Sequence, residues 1–152
     1  MHKLSYRKAN REDLQDIINL LADDDLGKDR EVSGGIVSDK YKKTFEQIDK
    51  DTNQYMMVIE LECKVIATCH MTIMPSLTFH ASTRMNIEAV RVSKDCQGQK
   101  VGQYMFQRAI EYAKSQDVSI IQLSTNKQRT GALVFYKSLG FEDSHEGMKL
   151  YL

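Results

Sequence analysis

Asn86-Ile87-Glu88-Ala89-Val90-Arg91-Val92-Ser93-Lys94-Asp95-Cys96-Gln97-Gly98-Gln99-Lys100-Val101-Gly102 carries an apolar-rich run straight into a polar, glycine-containing turn. Behind it, Val101, Met105, Ala109 and Tyr112 keep the spacing of one helical face to about Ala113. The passage therefore predicts a strand from Met85 to Val92, a turn, and a helix. Val118 to Leu123 follows as a short, nearly continuous apolar run, the pattern of a strand covered on both faces. It suits a parallel partner for the Met85 strand. Strand, helix and strand make a βαβ unit, and the chain reads as α/β.

The turn has a chemistry of its own. The first N–H groups of a helix have no partner within it, the positive end of the dipole lies there, and glycine lets a ligand approach the backbone. Such a turn suits a pyrophosphate. An ordinary βα turn with a glycine at its bend has the same local sequence. Neither G-x-x-x-x-G-K-[ST] nor G-x-G-x-x-G is present, so neither a P-loop nor a Rossmann assignment is supported.

Upstream, Leu4 to Arg7 reads as a short strand, and Asn10 offers a helix N-cap with Glu12 and Asp13 in the first turn. Leu14, Ile17, Ile18 and Leu21 then share one helical face as far as Asp23. The charged stretch from Asp23 to Glu31, with Gly34-Gly35 after it, reads as a surface loop. Ser38 caps a second predicted helix carrying Tyr41, Phe45 and Ile48, which stops between Asp51 and Asn53.

Tyr55 to Leu61 and Val65 to Met74 predict an antiparallel hairpin around Glu62-Cys63-Lys64. Pro75 has no N–H for a ladder and ends the second strand, and Ser76 to Thr83 connects onward. Near the end, Thr130 to Leu139 predicts a helix with Gly140 as its left-handed cap. Met148 to Leu152 predicts a closing strand.

With 152 residues, the chain suits a single domain spanning residues 1–152. Hydrophobic residues at 41% and charged residues at 28% predict a folded chain. Lys plus Arg balance Asp plus Glu at 21 each, so no global positive field attracts nucleic acid or an acidic membrane. No run approaches the ~18 apolar residues of a membrane span, and no apolar leader is visible, so a cytoplasmic location is expected. Cys63, Cys69 and Cys96 lack the paired spacing of a zinc or redox site, and no metal is expected.

Two motifs carry a resemblance. Gln97, Val101 as a free position, and Gly102 match the acetyl-CoA loop of GNAT acetyltransferases, [RQ]-x-x-G-x-[GA], with Lys100 where the first motif glycine usually stands. Phe135-Tyr136-Lys137-Ser138-Leu139-Gly140-Phe141 is similar to the FY-x-x-x-GF signature near the end of many GNAT domains, and Ala132 also fits. Arg129 stands where the family often has an asparagine, with Asn126 just upstream.

The resemblance implies the GNAT fold, a mixed and mostly antiparallel sheet with a parallel, splayed strand pair and flanking helices. It implies acetyl-CoA as co-substrate. Val90, Arg91 and Val92 would meet the pantetheine arm through the strand backbone, and the turn from Gln97 through Gly98, Gln99, Lys100, Val101 and Gly102 to Gln103 would cradle the pyrophosphate. Asn126 and Tyr136 are further cofactor candidates.

For chemistry, the resemblance implies transfer of an acetyl group to a primary amine, expected on a small molecule, by direct attack in a ternary complex. Glu88 is the candidate base, where strand alternation can point it at the acceptor, and Tyr136 the candidate acid for the leaving thiolate. His70, His80 and His145 lie in no recognised motif and read as structural or exposed. Asp24, Asp25, Arg30 and Glu31 stand where the family builds its acceptor site, and with Glu88 they are the substrate candidates. Acidic members favour a cationic amine, and Arg30 a carboxylate. A protein lysine or N-terminus as acceptor, an acyl-CoA-binding module without turnover, and a fold used for pairing two chains into a homodimer through sheet edges are the alternatives.

Overall fold

Gln54–Leu61 (β2) and Lys64–Pro75 (β3) pair antiparallel around a two-residue turn, Glu62 and Cys63, both with left-handed backbone. Positive φ at both central residues matches the right-handed twist of the flanking strands. Leu4–Lys8 (β1) adds to β2, and Thr83–Val92 (β4) to β3, both antiparallel. Val118–Leu123 (β5) lies parallel beside β4, reached through the crossover helix Val101–Ser115 (α4). The strand order is β1-β2-β3-β4-β5. The computed structural model describes residues 3–23 and 35–152.

Successive residues of a strand face opposite sides, and this sheet buries both. On one face Met56, Val58 and Val65 pack with Leu14, Ile17, Ile18 and Leu20 of α1 (Leu14–Ala22) and Phe45 of α2 (Asp39–Lys50). On the other, Tyr55 stacks on Tyr112 of α4 with ring centroids 4.5 Å apart. Met57, Ile59, Ala67, Cys69, Met71, Met85 and Ile87 of the strands are buried, as are Met105, Phe106 and Ala109 of α4. Each of the larger aliphatic, Met and Phe side chains contributes about 1.5–3 kcal/mol by leaving water.

The start of α1 is tied to the sheet. Asn10 accepts the Glu12 N–H at 2.8 Å, while Asp13 accepts the Asn10 N–H at 2.7 Å. Asp13 is buried and takes both ends of the Arg7 guanidinium, at 2.6 and 2.8 Å, and Arg7 also donates to Glu60 at 2.7 Å. This network joins β1, β2 and α1. Ser38 stands at the N-cap of α2, but its side chain makes no capping bond; its carbonyl instead accepts the Lys42 N–H.

The connection after Pro75 contains a single turn, α3 (Thr78–Ala81), in which Phe79, His80 and Ala81 take left-handed backbone. β5 differs from expectation. Its apolar run predicted cover on both faces, yet none of its residues is buried, and it is the last strand in the order among the described residues.

The chain divides into two compact units, residues 1–122 and 123–152. The second contains α5 (Thr130–Ser138), which Gly140 closes with φ +94. The strand expected from Met148 to Leu152 is absent: no ladder forms there, and Met148, Leu150 and Tyr151 are exposed. Alternating apolar residues make a strand only where a neighbour supplies hydrogen bonds.

Candidate active site

β4 holds Glu88 directly opposite His70 of β3. The ladder then slips. Thr68 pairs with Arg91, so Ala89 and Val90 stand against Cys69, and Ala89 has φ +53. This is a β-bulge, which kinks a strand and re-aims the side chains beside it. A left-handed alanine is uncommon, and strain of this kind clusters at functional sites. Glu88 immediately precedes it, with a 62% exposed side chain and Oε1 3.6 Å from His70 Nδ1.

Beyond the bulge, Arg91 Nη1 donates to the Val90 carbonyl at 2.7 Å. Gln97 Nε2 donates back to the Val92 carbonyl at 3.3 Å, which holds the turn against the end of the strand. Gln99 Nε2 donates to the Asp95 carbonyl at 2.8 Å. Lys94, at the head of this turn, pairs with Asp23 at the end of α1 at 3.0 Å.

Gly98 and Lys100 both take left-handed backbone, with φ +76 and +64. Lys100 is the N-cap of α4, and Tyr104 N–H makes the first bond back to its carbonyl at 3.0 Å. The lysine thus takes a left-handed conformation that glycine adopts at little cost. The N–H groups of Val101, Gly102 and Gln103 precede the first intrahelical donor, and no acidic residue stands in that first turn. Gln97 to Lys100 are exposed. These features fit an anionic cofactor: an open turn, helix-end donors and no carboxylate in the helix's first turn.

Replacing Lys100 with glycine relieves the side-chain penalty of the left-handed region, and we expect a gain of about 1 kcal/mol. Chemical denaturation of the two proteins checks this, and an unchanged midpoint would show that Lys100 is held there without strain.

In the second unit, Asn126 Oδ1 accepts the Gln128 N–H at 2.9 Å and its carbonyl the Arg129 N–H at 2.8 Å, so it shapes the turn before α5. The Tyr136 ring lies between Phe135 and Phe141, at 5.4 and 6.0 Å, and its carbonyl accepts the Phe141 N–H. Asp24, Asp25, Arg30 and Glu31 lie outside the described residues.

Other candidates resolve simply. Burial pushes the Cys69 thiol up to about 12, which leaves almost no thiolate at neutral pH. His80 and His145 are exposed, and His145 Nδ1 lies 2.7 Å from Ser144 Oγ. Among the described residues there is no metal-binding cluster, and no helix is long and apolar enough to cross a membrane. A cavity of about 240 Å³ between β1, β2 and α4, lined by Tyr6, Tyr55 and Tyr112, lies on the sheet face opposite Glu88. Two features carried too little signal in the sequence: the His70–Glu88 pairing, which depends on register, and the bulge at Ala89, which has no glycine or asparagine to mark it.

Comparison with known proteins completes the picture. A crystal structure of a transcriptional regulator from Bacillus halodurans C-125 is 37% identical, covers 99% of this chain and 100% of that one, and has a TM-score of 0.96. A predicted acetyltransferase from Clostridium acetobutylicum, crystallised with acetyl-CoA, shares the fold at TM-score 0.74 and 19% identity, over 98% of this chain and 96% of that one. An uncharacterized N-acetyltransferase of Methanocaldococcus jannaschii is 39% identical over 57 residues. That match spans 38% of this chain and 25% of the relative. The sequence model of the Acetyltransferase (GNAT) family matches residues 14–141, which include the bulged strand, the cofactor-type turn and the Tyr136 motif. The chain belongs to the GNAT acetyltransferase family.

Proposed function

We propose that the protein transfers the acetyl group of acetyl-CoA to a primary amine of a small molecule, within a single domain and by direct attack in a ternary complex. The observation that carries this is one continuous segment. Glu88 stands just before a bulge, and the same strand leads into an open turn whose lysine adopts glycine's conformation at the head of α4.

In this reading, the N–H groups from Gly98 to Gln103 hold the pyrophosphate, Gln97 keeps the turn against β4, and the backbone of Val90 to Val92 lines the pantetheine arm. Asn126 and Tyr136 complete the cofactor side. Asp25, Arg30 and Glu31 belong to the acceptor side.

An alkylamine with a pKa near 10.4 costs roughly 4.6 kcal/mol to deprotonate at pH 7. Glu88 takes that proton, directly or through one water. The nitrogen then bonds to the acetyl carbon, the carbon–sulfur bond breaks, Tyr136 gives its phenol proton to the thiolate, and the nitrogen's second proton, lost as the amide forms, restores the phenol through water.

The test is CoA release from acetyl-CoA with spermidine, tyramine, an amino sugar phosphate and a lysine peptide as acceptors. These span polycationic, aromatic, anionic and peptidic amines. Acceptor-dependent release is the expected result. Release with the peptide alone would move the acceptor to protein. Saturable acetyl-CoA binding with no release from any amine would overturn catalysis.

That last outcome would favour a second reading, an acyl-CoA-binding module, for which the relative described as a transcriptional regulator is the specific support. The balanced net charge supplies no general attraction to DNA, so in that reading the module acts through another protein.

A further inference from the structure

His70 is an expensive residue to place where it stands. Its side chain is only 9% exposed, and its ladder partners are Met56 on one side and Glu88 on the other. Nε2 is buried with no hydrogen-bond partner among the described residues. An unpaired buried polar atom costs about 1–3 kcal/mol, which an apolar side chain of similar size avoids. The polar group facing the ring across the ladder is Glu88, whose Oε1 lies 3.6 Å from Nδ1.

We propose that His70 is a positioning residue for Glu88, holding the carboxylate by an Nδ1–H donor. This rests on the reading of Glu88 as the base. A carboxylate only accepts, so the nitrogen facing it must carry the ring proton. At 3.6 Å the contact is longer than a hydrogen bond, as contacts at catalytic groups often are before substrate binds. Glu88 has a 62% exposed side chain, and a shift of a few tenths of an ångström by it closes the gap.

The proton balance follows from the burial. One carboxylate oxygen is held by His70, and the amine's proton goes to the other. His70 keeps its own proton throughout. No relay through the ring is invoked, since among the described residues Nε2 is buried and has no partner to pass a proton to.

The first test needs no acceptor. Nitrogen-15 spectra of the imidazoles in the intact protein should show His70 as the Nδ1–H tautomer, and Glu88→Ala should shift or mix that signal. A wild-type Nε2–H tautomer would overturn the proposal, as would a signal that ignores Glu88→Ala.

The second test is kinetic, with the fastest amine of the panel above. His70→Phe keeps a ring without the donor and should lower kcat about tenfold. His70→Asn, whose amide N–H replaces Nδ1–H, should stay within about threefold of wild type. Acetyl-CoA affinity should not change in either. In a Glu88→Gln background, His70→Phe should cost nothing further.

Losses that multiply in the double variant would overturn the proposal. If Glu88→Gln keeps wild-type kcat, the general-base reading is the part that fails. If Glu88→Gln loses turnover and His70→Phe does not, the role of His70 fails alone.

Discussion

A Glu88→Gln enzyme is expected to lose about 10²- to 10⁴-fold in kcat while keeping its affinity for acetyl-CoA, the range that a positioned base contributes. Glutamine has the same shape and can still accept a hydrogen bond, but it cannot take a proton at neutral pH. The Glu88 side chain is 62% exposed, so the change removes nothing from the core. Its melting temperature should match wild type. The turn proposed to hold the cofactor begins nine residues further on and its bonds, Gln97 to Val92 and Gln99 to Asp95, do not involve Glu88. Steady-state CoA release and equilibrium binding of acetyl-CoA separate the two quantities. Equal loss in both would mean that Glu88 shapes the cofactor site, and the base would have to be sought elsewhere.

Asp13→Ala should be the costliest change away from that site, at roughly 2–3 kcal/mol. Losing the cap on the Asn10 N–H contributes about 1 kcal/mol. The remainder comes from Arg7, which keeps Glu60 but loses the fork that fixes β1 against α1. The Arg7 side chain is 36% exposed, so water offsets part of the loss, and the value sits below that of a fully buried pair. At a few degrees per kcal/mol for a chain of this size, the melting temperature should fall by about 5–10 °C.

The same pair has a signature in acid. The hydrogen bonds from Arg7 hold the Asp13 carboxyl below its ordinary range, and the bond from Asn10 adds to this against the opposing effect of burial. A carboxylate with a lowered folded-state value gives its full stability above about pH 3.9, where the unfolded chain is ionised. That contribution drains away as the pH falls towards the lower folded value. The stability of the wild type should therefore drop more steeply below about pH 4 than that of Asp13→Ala. Parallel denaturation curves down to pH 3 would show that the carboxylate contributes little.

Much of the architecture was legible because it is encoded locally. The spacing of Leu14, Ile17 and Ile18, and of Val101, Met105 and Ala109, marks the helical faces that the structure buries on opposite sides of the sheet. Pro75 ends β3, and Gly140 closes α5 in the left-handed conformation expected of it. Tyr112 was read as part of the buried stripe of α4 but is only half-buried, while its neighbours Phe106 and Ala113 are buried. The helix face is broader than a single row of residues shows.

The rest depended on partners distant in the chain. Met148 to Leu152 alternates like a strand and forms none, and the apolar run of β5 lies at the end of the sheet order. Pattern records what a segment would do beside a neighbour, not whether the neighbour is there. Lys100 shows the converse. Its sequence argues against a glycine conformation by about a kcal/mol, and the turn and helix around it impose φ +64 regardless.

The strand, turn and helix from Met85 to Tyr112, the helical faces and the motif positions were thus determined by residue order, since periodicity and turn chemistry act over a few neighbours. The bulge at Ala89, the left-handed Lys100 and the meeting of His70 with Glu88 were decided in three dimensions. Each depends on the register between β3 and β4 or on the join of strand to helix, and register is set by burial on both faces of the sheet at once.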